Sequence, residues 1–270
     1  MSNIVGLLGG LGNQLFQFSY GRWLESRTGL TTRYDLSSFR SRPDYLSLGE
    51  LGLTLDDTVN WLKYLPFPRG RFPTTASKVR TFAGPRIIRY ESELGGLPSP
   101  SLLRTPAWYY GYWQNPSMVA EVINTIRMDC NYPDAAASAP TNKIAMHVRR
   151  GDMVGQQASL GADYYKLAIS KLITSHGLTG TPAITVFSDD PKWCSENLRI
   201  PALEYAPVGS AAQDLMELSR HDFLVLSGST FSWWASQLQP RDAMTVVAPL
   251  PIAPSATPPL DVSGWLTIAR

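Results

Sequence analysis

Lys143-Ile144-Ala145-Met146-His147-Val148-Arg149-Arg150-Gly151-Asp152 reads as a short apolar strand that empties into two arginines, a glycine turn and a carboxylate. In an open parallel sheet, ligands bind outside the carboxyl ends of the strands, and a guanidinium fork matches phosphate oxygens in a bidentate way. Side chains alternate along a strand, so His147 and Arg149 are expected on one face and Arg150 on the other. Arg149 is therefore the first choice for an anionic ligand. A surface ion pair between Arg150 and Asp152 at a turn is the bland alternative for the same residues.

The sequence that follows repeats this format. A strand at 143–149 leads to a helix at 163–176 with Tyr165, Ala168, Ile169, Leu172 and Ile173 on one face. After it come a strand at 183–187, a short helix from Pro191, a strand near 202–205, a helix at 211–219, a strand at 222–227, a helix at 230–238 and a strand at 244–248. Strands alternating with helices predict a parallel, doubly wound sheet. Three of its strand ends carry polar clusters: His147 to Asp152, Ser188-Asp189-Asp190, and Ser227-Gly228-Ser229-Thr230-Phe231-Ser232. Such a coincidence is expected where one ligand lies across the crest of the sheet. The last cluster opens a helix, so its amides and hydroxyls offer an anion site, a role compatible with capping by Ser229 or Thr230. Asp189 and Asp190 offer a magnesium site on composition alone. Vicinal carboxylates at a strand end diverge, however, and Pro191 makes the pair equally good as a helix cap. Hydrogen bonding to paired N–H donors of a base is the competing role.

Upstream, Pro133-Asp134-Ala135-Ala136-Ala137-Ser138-Ala139-Pro140-Thr141 is small, polar and bounded by proline, as linkers are, and places a domain boundary between residues 140 and 141. The first half opens with a strand from Ile4 to Leu8, the loop Gly9-Gly10-Leu11-Gly12-Asn13-Gln14, and a helix carrying Phe16, Tyr20, Trp23 and Leu24 before Gly29 stops it. Such a glycine loop lets backbone approach a ligand closely, though a tight structural turn accounts for it as well. It lacks the third glycine of the dinucleotide fingerprint and the Gly-Lys-Ser/Thr of a triphosphate loop. A second strand is expected at 31–34, helices at 55–65 and 76–82, and much loop between 66 and 106. The aromatic run 108–113 reads as a core strand, and Asn115-Pro116 starts a helix with Val119, Val122, Ile123 and Ile126 on one face. The proline-rich tail after Pro249 is expected to pack over the surface, with its last residues returning to the first half.

With 24 Lys+Arg against 22 Asp+Glu the net charge is +2, which gives no reason to expect nucleic-acid binding. Cys130 and Cys194 are far apart without CxxC spacing and do not suggest zinc. No run approaches 18 apolar residues and the N-terminus has no basic leader, so neither a membrane span nor a signal peptide is expected.

Taken together, Gly9-Gly10-Leu11-Gly12-Asn13-Gln14, His147-Val148-Arg149-Arg150-Gly151-Asp152, Phe187-Ser188-Asp189-Asp190 with Trp193-Cys194, and Ser229-Thr230-Phe231-Ser232-Trp233-Trp234 resemble the α-1,2-fucosyltransferases of glycosyltransferase family 11. The motifs stand in the family's order and span most of the chain, while residues 36–105 match nothing specific. The resemblance implies an α/β, GT-B-like fold of two Rossmann-like domains facing a cleft. Residues 1–140 would form the acceptor side and 141–270 would bind GDP-fucose. Arg149, with Arg150 and His147, would meet the diphosphate, Asp189 or Asp190 guanine, and the helix start at Ser229, Thr230, Phe231 and Ser232 a phosphate; Ser188, Gly10, Gly12, Asn13 and Gln14 complete the implied donor site. Gly228 departs from the family, where an asparagine often precedes the Ser-Thr-Phe-Ser run. Such enzymes invert the anomeric centre and need no metal or other cofactor.

The implied reaction is displacement at the fucose anomeric carbon by a hydroxyl of an oligosaccharide acceptor, a β-galactoside or a lipid-linked glycan precursor. Charge grows on the leaving phosphate, where Arg149 and the helix amides would meet it. Asn13 is expected to orient donor or acceptor, and Asp152 and Asp35 are the candidates for the base. The expected location is cytoplasmic, with peripheral contact at the inner membrane face. The alternatives are transfer of another sugar from a nucleotide donor, or a non-catalytic glycan- or nucleotide-binding module.

Overall fold

The computed structural model of the chain describes residues 2–39, 41–55, 58–59, 87–130, 143–155, 158–180, 182–238, 244–253, 259–260 and 262–269. The chain forms two compact units, Met1–Tyr132 and Pro133–Arg270, each an α/β layer structure on its own parallel sheet.

The first unit contains strands β1 (Asn3–Gly6), β2 (Thr32–Asp35), β3 (Thr58–Val59), β4 (Ile87–Tyr90) and β5 (Ala107–Tyr110), in the order β3-β2-β1-β5-β4. Its helices are α1 (Leu11–Thr28), α2 (Glu91–Leu94) and α3 (Pro116–Asp129). The apolar spacing of α1 buries Leu15, Phe16, Tyr20, Trp23 and Leu24, and Gly29 ends the helix in the left-handed region at φ 67°. Asn115 caps α3 by accepting from the Met118 amide, with Pro116 in the first turn. Arg22 to Asp129 at 2.8 Å, and Arg27 to Glu121, join α1 to α3. The aromatic run is indeed core: Trp108, Tyr109, Tyr110 and Trp113 are buried, and Trp113 stacks on Tyr20 with centroids 3.9 Å apart.

The second unit contains strands β6 (Ile144–Val148), β7 (Ile184–Ser188), β8 (Leu203–Tyr205), β9 (Phe223–Val225), β10 (Thr245–Leu250) and β11 (Leu266–Ala269), in the order β11-β10-β9-β6-β7-β8. Helices α4 (Gly151–Gly155), α5 (Ala162–His176), α6 (Pro191–Asn197), α7 (Ala211–Ser219) and α8 (Thr230–Leu238) intervene. Every residue of β6 is buried because both its faces are covered, which is why it reads as a nearly unbroken apolar run. Tyr165, Ala168, Ile169 and Leu172 of α5 pack with Ile144, Met146 and Val148 of β6 in the main core.

Several expectations need correction. Thr58–Val59, inside the helix expected at 55–65, pairs with β2 as an edge strand. Ile87–Tyr90, within the stretch expected to contain much loop, is a strand beside β5. The tail does not return to the first half where it is described. β11 pairs with β10, and Leu260 accepts from Trp233 Nε1 at 2.9 Å, so both belong to the second unit. Residues 60–65, the helix at 76–82 and the linker at 133–141 lie outside the described residues. Among the described residues no helix is long and apolar enough to cross a membrane.

Asp35, proposed above as a base, is 1% exposed and committed to holding the fold. Its Oδ1 accepts from the Ser37 amide at 3.0 Å, and its Oδ2 accepts from the Tyr110 hydroxyl at 2.9 Å. It thereby latches the end of β2 to β5 across β1. Burial above all, and then Asp35, holds the Tyr110 hydroxyl well above its usual range, so the phenol stays protonated and donates. Removing one partner of a buried charge-assisted bond costs about 1–3 kcal/mol. Tyr110→Phe is expected to lower unfolding stability by about that much in a denaturant titration, with turnover per folded molecule retained.

Candidate active site at the crest of the second sheet

The order in which strands are added to the second sheet reverses between β6 and β9. β7 and β8 add on one side of β6, and β9, β10 and β11 on the other. Loops from such neighbours leave in opposite directions and open a crevice at their carboxyl ends, where ligands bind in doubly wound folds. The stretch 149–152 follows β6, and Ser227 follows β9.

Val148 pairs with Ser188 across β6 and β7, so the residues that follow, Arg149 and Asp189, meet at the crest. Arg149 Nη1 lies 2.8 Å from Asp189 Oδ2, while its Nε and Nη2 donate to Asp152 Oδ1 at 3.1 and 2.8 Å. Asp189 Oδ1 also accepts from the Arg150 amide at 2.8 Å. This approach depends on Gly151, where an added Cβ would stand 2.6 Å from Asp189 Oδ2. Arg149 is thus braced from two sides. At least two of a guanidinium's five N–H groups remain for a ligand.

Arg150 goes elsewhere. Its guanidinium lies 4.1 Å from the centroid of the Trp193 ring, and Nη1 reaches Ser159 Oγ at 3.5 Å. The two adjacent arginines therefore differ in role: Arg149 sits in a carboxylate frame, whereas Arg150 rests on an aromatic face at the start of α6.

Behind Arg149, His147 Nδ1 lies 2.8 Å from Ser227 Oγ, and its ring is 4.9 Å from that of Phe231. Burial, assisted by the Arg149 charge, lowers the His147 pKa from 6.5 to about 3, so the imidazole is neutral. Ser227 Oγ is 2.9 Å from Ser229 Oγ, and Ser232 Oγ donates to the Ser227 carbonyl at 3.0 Å. Ser229 caps α8: its carbonyl accepts from the Trp233 amide and its Oγ from the Ser232 amide. Thr230 and Phe231 occupy the first turn of α8, at the positive end of its helix dipole. A neutral, hydroxyl-lined helix start thus stands beside a braced cation, a combination suited to an anion carrying charge on several oxygens.

The other expected site residues divide. Ser188 Oγ accepts from the Asp190 amide at 3.0 Å, and Asp190 Oδ1 caps α6 by accepting from the Trp193 amide at 3.0 Å. Pairing with guanine takes both oxygens of one carboxylate. Asp189 has both engaged and Asp190 has one, and each carboxylate keeps lone pairs for such a contact. Asp152 is likewise tied to Arg149 and is better placed to hold that guanidinium than to take a proton. Among the described residues, no three His, Cys, Asp or Glu side chains converge on a point where a metal ion would sit.

In the first unit, Gly9 takes φ 80° and Gly10 precedes α1, which contains Gly12, Asn13 and Gln14. Asn13 Oδ1 accepts from Gln114 Nε2 at 2.9 Å. Gln14 is fully buried, donating to the carbonyls of Gly9 and Tyr45 and accepting from the Ser47 amide. Its amide holds loops together, which corrects its assignment to the donor. Two features escaped sequence reasoning. Gln114 follows the aromatic run without any motif of its own, whereas the Arg149–Asp189 contact becomes legible once β6 and β7 are known to be parallel neighbours.

The chain is similar to several known proteins. A family model described as Glycosyl transferase family 11 matches residues 102–256, more than half of the chain. An alpha-1,2-colitosyltransferase of Escherichia coli is 23% identical over 93% of this chain and 92% of its own length. The O-antigen biosynthesis glycosyltransferase WbnK of Escherichia coli is 33% identical over 40% of this chain and 38% of its own. Among solved structures, the NodZ alpha-1,6-fucosyltransferase co-crystallized with GDP, from Bradyrhizobium, is similar with a TM-score of 0.50 and 15% identity over 89% of this chain and 93% of that one. This last likeness is one of fold, the two-unit α/β arrangement of the GT-B type.

The neutral His147 has a consequence for pH. In the unfolded chain it binds a proton below about pH 6.5, and in the folded protein only near 3. Its contribution to stability is complete above the unfolded value and is lost as pH falls through this window. Melting temperatures recorded between pH 7 and 4 should fall less steeply for His147→Asn than for the parent protein.

Proposed function

The chain belongs to glycosyl transferase family 11, and on that premise we propose that it transfers L-fucose from GDP-fucose, with inversion, to a glycan hydroxyl. The acceptor position we assign is the 2-hydroxyl of a galactose, giving an α-1,2 linkage. The observation that carries this reading is the Arg149 fork, braced by Asp152 and Asp189, beside the first turn of α8 at the switch point of the second sheet.

In that reading the two uncommitted N–H groups of Arg149 and the start of α8 receive the diphosphate. As the bond from the anomeric carbon to the β-phosphate oxygen breaks, negative charge builds on that oxygen. Donors already fixed in place meet it without reorganising, and this is where their stabilisation is largest. His147, held neutral, offers its second ring nitrogen to the same ligand without adding charge. We further propose that this arrangement suffices without a metal ion. Asp152 and Asp189 are positioning residues that fix the plane of the guanidinium.

A second reading, transfer of a colitosyl group, is supported by the 23% identity to the colitosyltransferase over most of both chains. Incubation with GDP-fucose and competing nucleotide sugars against a panel of β-galactosides, with linkage determined by NMR, separates the two. Fucose on O2 of galactose supports the first reading; a product formed only with another donor supports the second; and binding without GDP release leaves a non-catalytic module.

Arg149→Lys keeps the charge and loses the planar fork, along with its brace. The loss of a desolvated contact of this kind costs about 10²–10³ in rate, or roughly 3–4 kcal/mol. Arg150→Lys is expected to cost less, since an ammonium can still stand over Trp193. Turnover with GDP-fucose and calorimetric affinity for GDP check both. An Arg149→Lys protein within threefold of the parent in each would refute the assignment.

A further inference from the structure

The first sheet has a switch point of its own. β2 and β3 lie on one side of β1, β5 and β4 on the other, and all run parallel, so the chain leaves β1, β5 and β4 at one crest. Ligands of such sheets bind in the crevice between the loops that diverge there. In this unit the loops are residues 7–13 after β1 and 111–115 after β5. Glu91 stands beside the second of them, because Tyr90 at the end of β4 pairs with Tyr110 at the end of β5.

Side chains of this unit hold both loops in place. Gln17 accepts from the Leu8 amide at 2.9 Å and donates to the Gly111 carbonyl at 3.1 Å, and Gln114 donates to Asn13 at 2.9 Å. Glu91 Oε2 accepts from two successive amides, Tyr112 at 2.7 Å and Trp113 at 2.9 Å. Gly111 admits that contact, since a Cβ there would stand 2.4 Å from Glu91 Cβ. Glu91 Oε1 is left without a partner among the described residues, and Tyr112 is 40% exposed. Burial, then Tyr109 and the Glu91 carboxylate, hold the Tyr20 hydroxyl well above its usual range, so it stays a donor. That hydroxyl is buried and has no partner among the described residues. An unmet acceptor with an unmet donor in its field suits a group that both gives and takes hydrogen bonds, as a hydroxyl does.

Charge narrows the ligand further. The stretches 7–13, 91–95 and 111–115 contain no lysine or arginine. Arg89, the nearest cation along the chain, donates to the Leu102 carbonyl at 3.0 Å and bonds Tyr109. A phosphate would meet a carboxylate in these stretches and no cation. A neutral polyhydroxyl ligand instead gains a charge-assisted bond to Oε1 and an aromatic ring to cover its apolar face.

We propose that this crevice is a saccharide-binding site and that Glu91 is its specificity-determining residue, with Oε1 accepting from a sugar hydroxyl and Tyr112 covering the sugar's apolar face. The site is built wholly from residues of the first unit. The choice of a β-galactoside as its occupant rests on the transfer reading above.

Saturation-transfer NMR and calorimetry on the whole chain, without nucleotide, test the site with methyl β-galactoside and its singly deoxygenated forms. The parent should bind the galactoside, and at least one deoxy form should bind about tenfold or more weakly. Glu91→Gln keeps the brace, because a carboxamide oxygen still accepts from the two amides, so its melting temperature should stay close to the parent's. Its affinity for the galactoside should fall about tenfold or more, and the discrimination against that deoxy form should disappear. A Glu91→Gln protein that binds and discriminates as the parent does would reduce Glu91 to a turn brace and overturn the proposal. A parent that binds no galactoside, treats every deoxy form alike, or prefers galactose 6-phosphate would overturn it as well, even if Glu91→Gln fails to fold. A parent that binds the galactoside through Glu91 yet transfers nothing from any nucleotide sugar would support the site and overturn the transfer reading.

Discussion

Arg149 is held between two carboxylates by the register of two parallel strands, and the chemistry assigned to the second unit depends on that frame. Val148 opposite Ser188 puts Arg149 beside Asp189, Gly151 lets them close, and the turn after it brings back Asp152. Side-chain exposures of 33%, 58% and 27% for Arg149, Asp152 and Asp189 leave the pairs open to solvent screening. Their value is therefore in orientation more than in stability. Arg149 and the two carboxylates that hold it sum to a net charge of −1, so in the proposed reading a diphosphate meets directed N–H groups and helix amides in place of a bare cationic well.

The two units solve the same problem with different chemistry. Each has a parallel sheet with a switch point, and at each switch point a loop of small residues runs into a helix: residues 7–10 into α1, and 226–229 into α8. The first is lined by amides, with Gln17 accepting from the Leu8 amide and donating to Gly111, and Gln114 holding Asn13. The second is lined by a guanidinium, an imidazole and three serines. Neutral amides are suited to sugar hydroxyls; a braced guanidinium is suited to a phosphate.

Much of this was legible in the sequence, for identifiable reasons. The second unit's strands are buried on both faces and its helices amphipathic, so the alternation of 143–248 reproduces β6 to β10 closely. Arg149 stands out because charge at the end of an apolar run is conspicuous. Pairings between distant segments are not visible in that way. That Asp189 braces Arg149, that Asp35 meets Tyr110 and that Glu91 carries the Tyr112–Trp113 turn all depend on which strands are neighbours. Glu91 was also hidden by its setting, a four-residue strand and a four-residue helix within a stretch too short in period to read. The tail misled because proline-rich sequence gives no hint of β11, whose partner is set by the free edge of β10.

The central claim is that the nucleotide diphosphate is held by Arg149 and the start of α8, and not by the glycine loop that precedes α1. A crystal structure of the protein with GDP tests it most directly. The account predicts diphosphate oxygens within hydrogen-bond distance of the uncommitted Arg149 N–H groups and of the first-turn amides of α8, with Asp152 and Asp189 still on the guanidinium. A diphosphate seated on the residues 9–12 loop, with Arg149 untouched, would contradict it.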